Sequence, residues 1–292
     1  MTKHPTKKEG GWLQPVSLEP GLYIVATPIG NLRDITLRAL DVLNGADIIA
    51  CEDTRVSGKL LKAYDIGNKL LSYNDHNASK QRGKILEKLA SGESVALISD
   101  AGMPLVSDPG YKLVRDCLDL GLNVTSIPGA NAPLTALQLS GLPTDRFCFL
   151  GFLPPKEKAR REALEAWRST KATLVMFETA PRLTDVLVDI EAVLGDREMA
   201  VLRELTKMYE EVRRGRVSGL VTHYQENGQP KGELVLVIAP PEEEVFSEKD
   251  LMEKLTEALK TMGTKEAASH VADETGASRK VLYEIALKIP KQ

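Results

Sequence analysis

Short apolar runs alternate with amphipathic stretches along most of the chain. Residues 22–26 are apolar and stop at a Pro/Gly-containing turn over 27–31. Apolar positions Ile35, Leu37 and Leu40 follow at helical spacing, with Asp34 as the N-cap. The same plan recurs. Strands are predicted over 22–27, 46–51, 69–72, 94–99, 122–127, 146–152, 172–177, 198–203 and 232–239. Helices are predicted at about 35–44, 55–65, 78–90, 109–120, 132–140, 157–168 and 181–194. Gly121 stands where a C-cap glycine belongs. The alternation predicts an α/β protein with largely parallel sheets. Residues 205–231 are less regular. There MYEEVRRG reads as a strand, which implies some antiparallel pairing.

One sheet of more than eight strands is less economical than two domains. A break near Ile127-Pro128-Gly129 divides the pattern into α/β domains over 21–127 and 128–240. Residues 1–20 read as a mobile polar tail. The Pro-rich, acidic stretch PPEEEVFSE reads as a linker, 241–248, before a small all-helical domain over 249–292. Its helices are expected at roughly 248–261, 264–275 and 278–289. Ala272, Gly276, Leu282 and Ile285 have the spacing of a helix-turn-helix, with Arg279 and Lys280 at the start of the second helix. A small helical cap or a dimerisation element is the alternative, since residues 264–292 carry five basic and four acidic side chains.

Composition narrows the choices. The chain has 292 residues and a net charge of −3, so any nucleic acid must be held by a local patch. Cys51, Cys117 and Cys148 are scattered through apolar runs and read as buried thiols typical of the cytosol. The four histidines, His4, His76, His223 and His270, have no metal-ligand spacing. No apolar run reaches the roughly 20 residues needed to span a bilayer.

Candidate chemistry sits where strands end, which is where open α/β sheets bind ligands. None of these loops is GxGxxG or a P-loop, so a standard dinucleotide or triphosphate site is disfavoured. In LISDAGMPLVSDPGY (97–111), Asp100 can meet a ribose hydroxyl or an ammonium-like group. The backbone of Ala101, Gly102 and Met103 can read an adenine or carboxylate edge. Asp108 is expected to cap the next helix, with Pro109 at its first position. A purely structural turn is the alternative. SIPGANAPLTALQLSGL (126–142) repeats the plan. In EDTR (52–55), Arg55 can bind phosphate and Glu52 or Asp53 can accept a proton; equally, Asp53 is only an N-cap with an ion pair. FETAPR (177–182) and RELTK (203–207) place Glu, Arg or Lys at strand ends, and GELVLVI opens on Gly232. The basic stretch KEKARREALEAWR (156–168) reads as a solvated helix face, or as a phosphate-contacting edge.

Taken together, IVATPIGNLRDIT, ACEDTR, LISDAGMPLVSDPGY, GLPTDRFCFLGFLP and RELTK resemble the ribosomal-RNA small-subunit methyltransferase I group of the tetrapyrrole-methylase superfamily. The resemblance covers residues 22–240 and extends to the helical tail. It implies a two-domain class III methyltransferase fold with S-adenosylmethionine in the cleft. It implies 2′-O-methylation of a cytidine in the decoding region of 16S rRNA, in an assembled small subunit. It also implies a homodimer and no metal; the cytoplasmic location is the expectation from the buried thiols.

Carried over by position, the donor contacts are Pro28, Asp100, Ala101, Gly102, Met103, Val106, Asn131, Ala132, Phe177, Gly232, Glu233 and Leu234. Catalysis is expected from Glu52, Asp53, Arg55 and Lys207, with the proton accepted either by a carboxylate of EDTR or by Lys207 with a lowered pKa. RNA contacts are expected from Asn31, Arg33, Arg182, Arg279 and Lys280. Three departures stand out: AGMP where the group more often has AGTP, PGANAPLTAL in place of a PGP-containing segment, and Pro181 where histidine is common. The rival readings are a methyltransferase acting on a tetrapyrrole or another small metabolite, and a nucleic-acid-binding regulator whose α/β body senses a ligand.

Overall fold

The computed structural model describes residues 16–108, 110–242 and 246–289. Most of the predicted tail (1–15), the helix-opening Pro109, part of the linker (243–245) and the last three residues lie outside them. The chain forms two compact units, Met1–Pro241 and Glu242–Gln292.

The first sheet contains β1 (Gly21–Val25), β2 (Ile48–Cys51), β3 (Leu70–Ser72), β4 (Ser94–Ile98) and β5 (Val124–Ile127). Their order is β3-β2-β4-β1-β5, with every pair parallel. Crossovers run through α1 (Leu37–Gly45), α2 (Thr54–Ala63), α3 (Ala78–Ala90) and α4 (Tyr111–Asp119). Both faces are covered. Val25, Ile49 and Ile98 pack with Leu40 and Leu43 on one side. Leu22, Val95 and Leu97 pack with Ile85 and Leu113 on the other. Burial on both faces is why β2 and β4 read as unbroken apolar runs.

Two helix starts differ from expectation. A 3-10 turn, Leu32–Asp34, absorbs Asp34, and Thr36 caps α1 by accepting from the Ala39 amide at 3.1 Å. At α4, Gly110 precedes the first turn with φ 140°, and Asp108 makes no cap. Gly121 ends α4 as expected, at φ +69°.

The second sheet contains β6 (Phe147–Phe152), β7 (Thr173–Thr179), β8 (Glu198–Arg203), β9 (Glu211–Arg216) and β10 (Glu233–Ile238). Its order is β6-β7-β10-β8-β9, and only β6 and β7 are parallel. The expectation of largely parallel sheets therefore fails here. Residues 204–210 are too short for a parallel crossover of a dozen or more residues, so β8 and β9 form a hairpin. β10 then inserts antiparallel between β7 and β8. The helix returning the chain to β10, α8 (Val217–Asn227), had been missed by periodicity.

On one face of this sheet α5 (Ala132–Ser140) lays Ala136 and Leu137 over Val175, Leu202 and Val235. On the other, α6 (Glu157–Glu165), α7 (Leu183–Leu194) and α8 cover Leu174, Met176 and Leu236.

The second unit is α9 (Glu248–Ala258), α10 (Thr264–Thr275) and α11 (Arg279–Ala286) around Leu255, Val271 and Leu282. A Ser247–Asp250 capping box opens α9. Gly276 turns left-handed at φ +71° and donates to the Ala272 carbonyl at 2.9 Å. Ala272, Leu282 and Ile285 are buried.

Candidate active site

The loops that follow the strands of the first sheet meet the second sheet around a cavity of about 670 Å³. Asp100, Ala101, Gly102, Met103 and Val106 line it from the loop after β4. Asn131 and Ala132 line it from the start of α5, Phe177 from β7, and Gly232, Glu233 and Leu234 from the start of β10. Of the twelve expected donor contacts, Pro28 alone is absent from the lining, and its neighbour Ile29 takes that place. Residues 178–181 of the FETAPR segment line it too, as does Asp108, which the sequence pattern assigns as a helix cap; Phe152 and the stretch 229–231 line it without having been singled out.

Backbone geometry makes this shape. The Thr27 amide donates to the Gly102 carbonyl at 2.9 Å, and the Gly102 amide returns to Thr27 at 3.0 Å. Leu105 and Ser107 hold left-handed φ of 72° and 66° in the loop after β4. Such conformations cost non-glycine residues on the order of 1 kcal/mol each and concentrate at functional sites. Asn131 Oδ1 caps α5 by accepting from the Leu134 amide at 2.9 Å, while its Nδ2 donates to Met103 Sδ at 3.2 Å. One carboxamide thus joins the two loops.

RELTK is held as tightly. Glu204 and Thr206 adopt φ of 49° and 64°. Glu204 Oε1 accepts from the Glu233 amide at 3.0 Å and from Lys207 Nζ at 2.9 Å, and Lys207 also reaches Glu233 Oε2 at 2.8 Å. Gly232 sits at φ +104°, and a Cβ there would lie 2.6 Å from the Glu204 carboxylate. A Cβ on Gly30 would collide with the Lys207 side chain, so the PIGN turn and RELTK abut. The Asn31 amide donates to Thr206 Oγ1 at 3.2 Å across this contact.

These contacts change the expected roles. Desolvation pulls the Lys207 pKa down, but the hydrogen bonds to Glu204 and Glu233 outweigh it and the net shift is upward. Lys207 is therefore a held cation, and the expectation of a lowered pKa is overturned. Asp53 caps α2 by accepting from the Arg55 amide at 2.8 Å. Hydrogen bonds from the Arg55 side chain and amide hold its carboxyl down at about 2. Glu52 behaves oppositely. Desolvation pushes its pKa up, and the charges of Asp108, Asp100, Asp75 and Asp53 push it further. Burial also raises Asp108. Asp100 Oδ1 accepts from the Asp53 amide at 3.1 Å, tying EDTR to the cavity wall. Glu52, Asp53, Arg55 and Lys207 themselves are not in the lining; they adjoin it through Asp100 and Glu233.

Of the expected RNA contacts, Arg33 is exposed, and Asn31 caps its own turn by accepting from the Arg33 amide at 3.1 Å. Arg182 is committed elsewhere. Its guanidinium donates to the Leu153 and Pro154 carbonyls at 2.8 and 3.3 Å and pairs with buried Glu178 at 3.2 Å. Arg160 and Arg161 in the basic stretch converge on buried Asp189 at 2.5 and 2.6 Å, which makes that face partly structural. In the helical unit Arg279 and Lys280 are exposed, and Arg279 pairs with Asp273 at 2.8 Å. Among the described residues no group of three or more His, Cys, Asp and Glu is placed to hold a metal ion.

Residues 21–221 match the family described as Tetrapyrrole (Corrin/Porphyrin) Methylases, and residues 247–289 match the RsmI C-terminal HTH domain. The chain is similar to ribosomal RNA small subunit methyltransferase I of Erythrobacter litoralis, 55% identical over 272 residues, covering 93% of this chain and 96% of that protein. The protein of the same name from Mesorhizobium japonicum is 49% identical over 273 residues and 93% of each chain. That from Escherichia coli O157:H7 is 45% identical over 276 residues, 91% of this chain and 94% of its own. Among solved structures, a diphthine synthase aligns with a TM-score of 0.59 at 17% identity, covering 75% of this chain and 89% of that one. The uroporphyrin-III-C-methyltransferase from Thermus thermophilus aligns at 0.54 and 21%, covering 75% and 94%. These two likenesses establish the fold alone.

Proposed function

The chain belongs to the tetrapyrrole methylase family, within the group of its ribosomal RNA small subunit methyltransferase I relatives, and from that premise we propose that it methylates the ribose 2′-oxygen of a cytidine in the decoding region of 16S rRNA, with S-adenosylmethionine as methyl donor. One observation carries this reading: relatives of that name align along more than 90% of both chains. The match of residues 247–289 to the RsmI C-terminal domain extends it to the helical unit.

The cavity suits the donor. Its volume falls within the range of small-molecule sites, about 300–1,000 Å³. Carboxylates at Asp100, Asp108 and Glu233 face a cationic ligand, and Ile29, Met103, Phe177 and Leu234 supply apolar wall. The close backbone turns at Gly102 and Gly232 leave room for main-chain contacts. When bound, the donor supplies an already activated methyl group, so positioning does most of the work.

A ribose hydroxyl must lose its proton during or after attack. Glu52, half-buried and with its pKa pushed up by desolvation and by the charges of Asp108 and Asp100, is the acceptor best matched to that task. Asp53 is too acidic and Lys207 stays protonated, so both hold geometry and charge. Arg55 in the first turn of α2 and Arg33 in the 3-10 turn, both exposed, hold neighbouring phosphates. Arg279 and Lys280 add phosphate contacts from the helical unit once Arg279 leaves Asp273. The protein is further read as a cytoplasmic homodimer acting on an assembled small subunit, with residues 21–127 and 128–240 as its two α/β domains. The support for dimer, location and particle is the likeness to the group. No helix of the described residues is long and apolar enough to cross a membrane.

The test is methyl transfer from labelled S-adenosylmethionine to small subunits lacking the modification, with naked 16S rRNA and precorrin-type tetrapyrroles in parallel. Label in RNA at a 2′-oxygen is expected. Label only in the tetrapyrrole overturns the reading.

A further inference from the structure

β6 carries one residue too many. Phe149 pairs with Val175 and Phe152 with Phe177, so three steps on β6 face two on β7. Gly151 takes up the difference at φ +66°. Side chains alternate along a strand, and an extra residue reverses which face the following ones occupy. Here the bulge brings Phe152 onto the face that already holds Phe149 and Phe177, and sends Leu153 into the core on the other side. The Phe152 and Phe177 ring centroids are 5.3 Å apart.

The ring does not bury. Phe152 lines the cavity yet is 54% exposed, whereas Phe177 beneath it is half-buried. An aromatic that spans cavity and solvent marks the mouth. Its support is rigid. Arg182 grips the Leu153 and Pro154 carbonyls, Arg160 donates to the Pro155 carbonyl at 3.1 Å, and the two arginines are themselves fixed by buried Glu178 and Asp189. From across the mouth, the loop after β4 brings the Ser107 hydroxyl within 3.2 Å of where a Gly151 Cβ would stand.

We infer that Phe152 is the stacking platform for the base of the target nucleotide, holding it at the mouth while its ribose enters the cavity. The inference rests on the RNA-methylating reading above. A target base has to leave its stack to reach an enclosed site, and an aromatic face replaces the lost stacking whatever the base. RNA arrives from solvent, and the exposed half of the ring faces solvent. Preorganisation by the two arginines spares the ordering cost on binding.

The experiment compares wild type with Phe152→Ala, Phe152→Leu and Phe152→Trp. It measures single-turnover methylation of unmodified small subunits against particle concentration, and S-adenosylmethionine affinity by calorimetry. Alanine and leucine are expected to weaken use of the particle about 10- to 100-fold, the range for losing one stacked base, with donor affinity unchanged. Tryptophan is expected to restore wild-type use. Full activity of Phe152→Leu would overturn the inference, because it leaves no role for the π-face. A parallel fall in donor affinity would overturn it too, assigning the ring to the donor. Recovery by Phe152→Trp separates stacking from a folding defect, and its failure to recover counts against the platform. If wild type itself labels no RNA, the functional reading falls, and this inference with it.

Discussion

EDTR and RELTK are both short polar loops at strand ends, each with a glutamate, a cation and a tie to the cavity wall. Their electrostatics are opposite. In RELTK the glutamate is satisfied: Glu204 accepts from Lys207 and from the Glu233 amide, and hydrogen bonding to Lys207 lowers its pKa. In EDTR the cation is spent on Asp53, and Glu52 faces only burial and other carboxylates. A cation neutralises what it touches, and Arg55 touches the wrong acid to neutralise Glu52. RELTK therefore holds shape, and EDTR keeps a carboxyl whose pKa burial and neighbouring carboxylates push upward.

The sharpest way to break this contrast is Glu52→Gln. The expected loss in single-turnover rate is about 10²- to 10⁴-fold, the usual worth of a general base, with donor affinity retained. In the wild type the rate should fall as pH drops through the raised Glu52 pKa, because the base must be ionised. The stability sign is opposite. A carboxyl raised on folding destabilises the native state as pH rises from its unfolded to its folded pKa, so the glutamine variant should unfold later at neutral pH. A thermal melt and a pH–rate profile on the same preparation check both. A variant that is slower but less stable would point to simple damage.

Next in size is Gly232→Ala. A left-handed φ of +104° and a Cβ 2.6 Å from the Glu204 carboxylate combine strain with collision. A loss of about 2 kcal/mol in chemical denaturation is expected. Donor affinity should fall as well, because the start of β10 is cavity wall.

Lys207 tests whether RELTK does proton chemistry. If Lys207 is only a held cation, Lys207→Arg should stay within about fivefold of wild type, and Lys207→Met should lose roughly 10-fold or more by leaving Glu204 and Glu233 unpaired. A base at this position would instead make arginine as inactive as methionine. It would also make the wild-type rate climb through alkaline pH, whereas a lysine raised above its ordinary value stays charged there.

Much of the architecture was readable because it is local. Apolar runs ended within a residue or two of the observed strands, and the turn at Gly276 followed from the spacing of Ala272, Leu282 and Ile285. What escaped depended on distant partners. The place of β10 between β7 and β8 is a pairing across the fold, which no window of sequence contains. The cavity-lining loops were visible as strand ends, but their roles were not. The upward shift of Lys207 is set against desolvation by Glu204 and then by Glu233, far along the chain, and that of Glu52 by burial and then by Asp108 and Asp100. The β6 bulge hides in FCFLGF as an ordinary glycine, so the ring of Phe152 went unnoticed. Asp53 is the instructive middle case, since its capping role was one of two readings of EDTR and the geometry displays it.

Asp53 also gives the smallest and most diagnostic prediction. Asparagine caps a helix about as well as aspartate, so Asp53→Asn should keep α2 and cost little stability at neutral pH. It removes the charge that occupies Arg55, an 86% exposed guanidinium. Freed, Arg55 can meet a phosphate, and affinity for the particle should rise about two- to threefold at low salt, with a steeper salt dependence by at most about one phosphate contact. The native Asp53 carboxyl is held at about 2, so its ion pair persists down through the ordinary carboxylate range and weakens only as pH falls toward that value. The wild-type and asparagine pH–rate profiles should therefore share one acidic limb, set by Glu52. A limb that vanishes with Asp53 would move the proton acceptor one residue along the loop and reverse the contrast between the two sites.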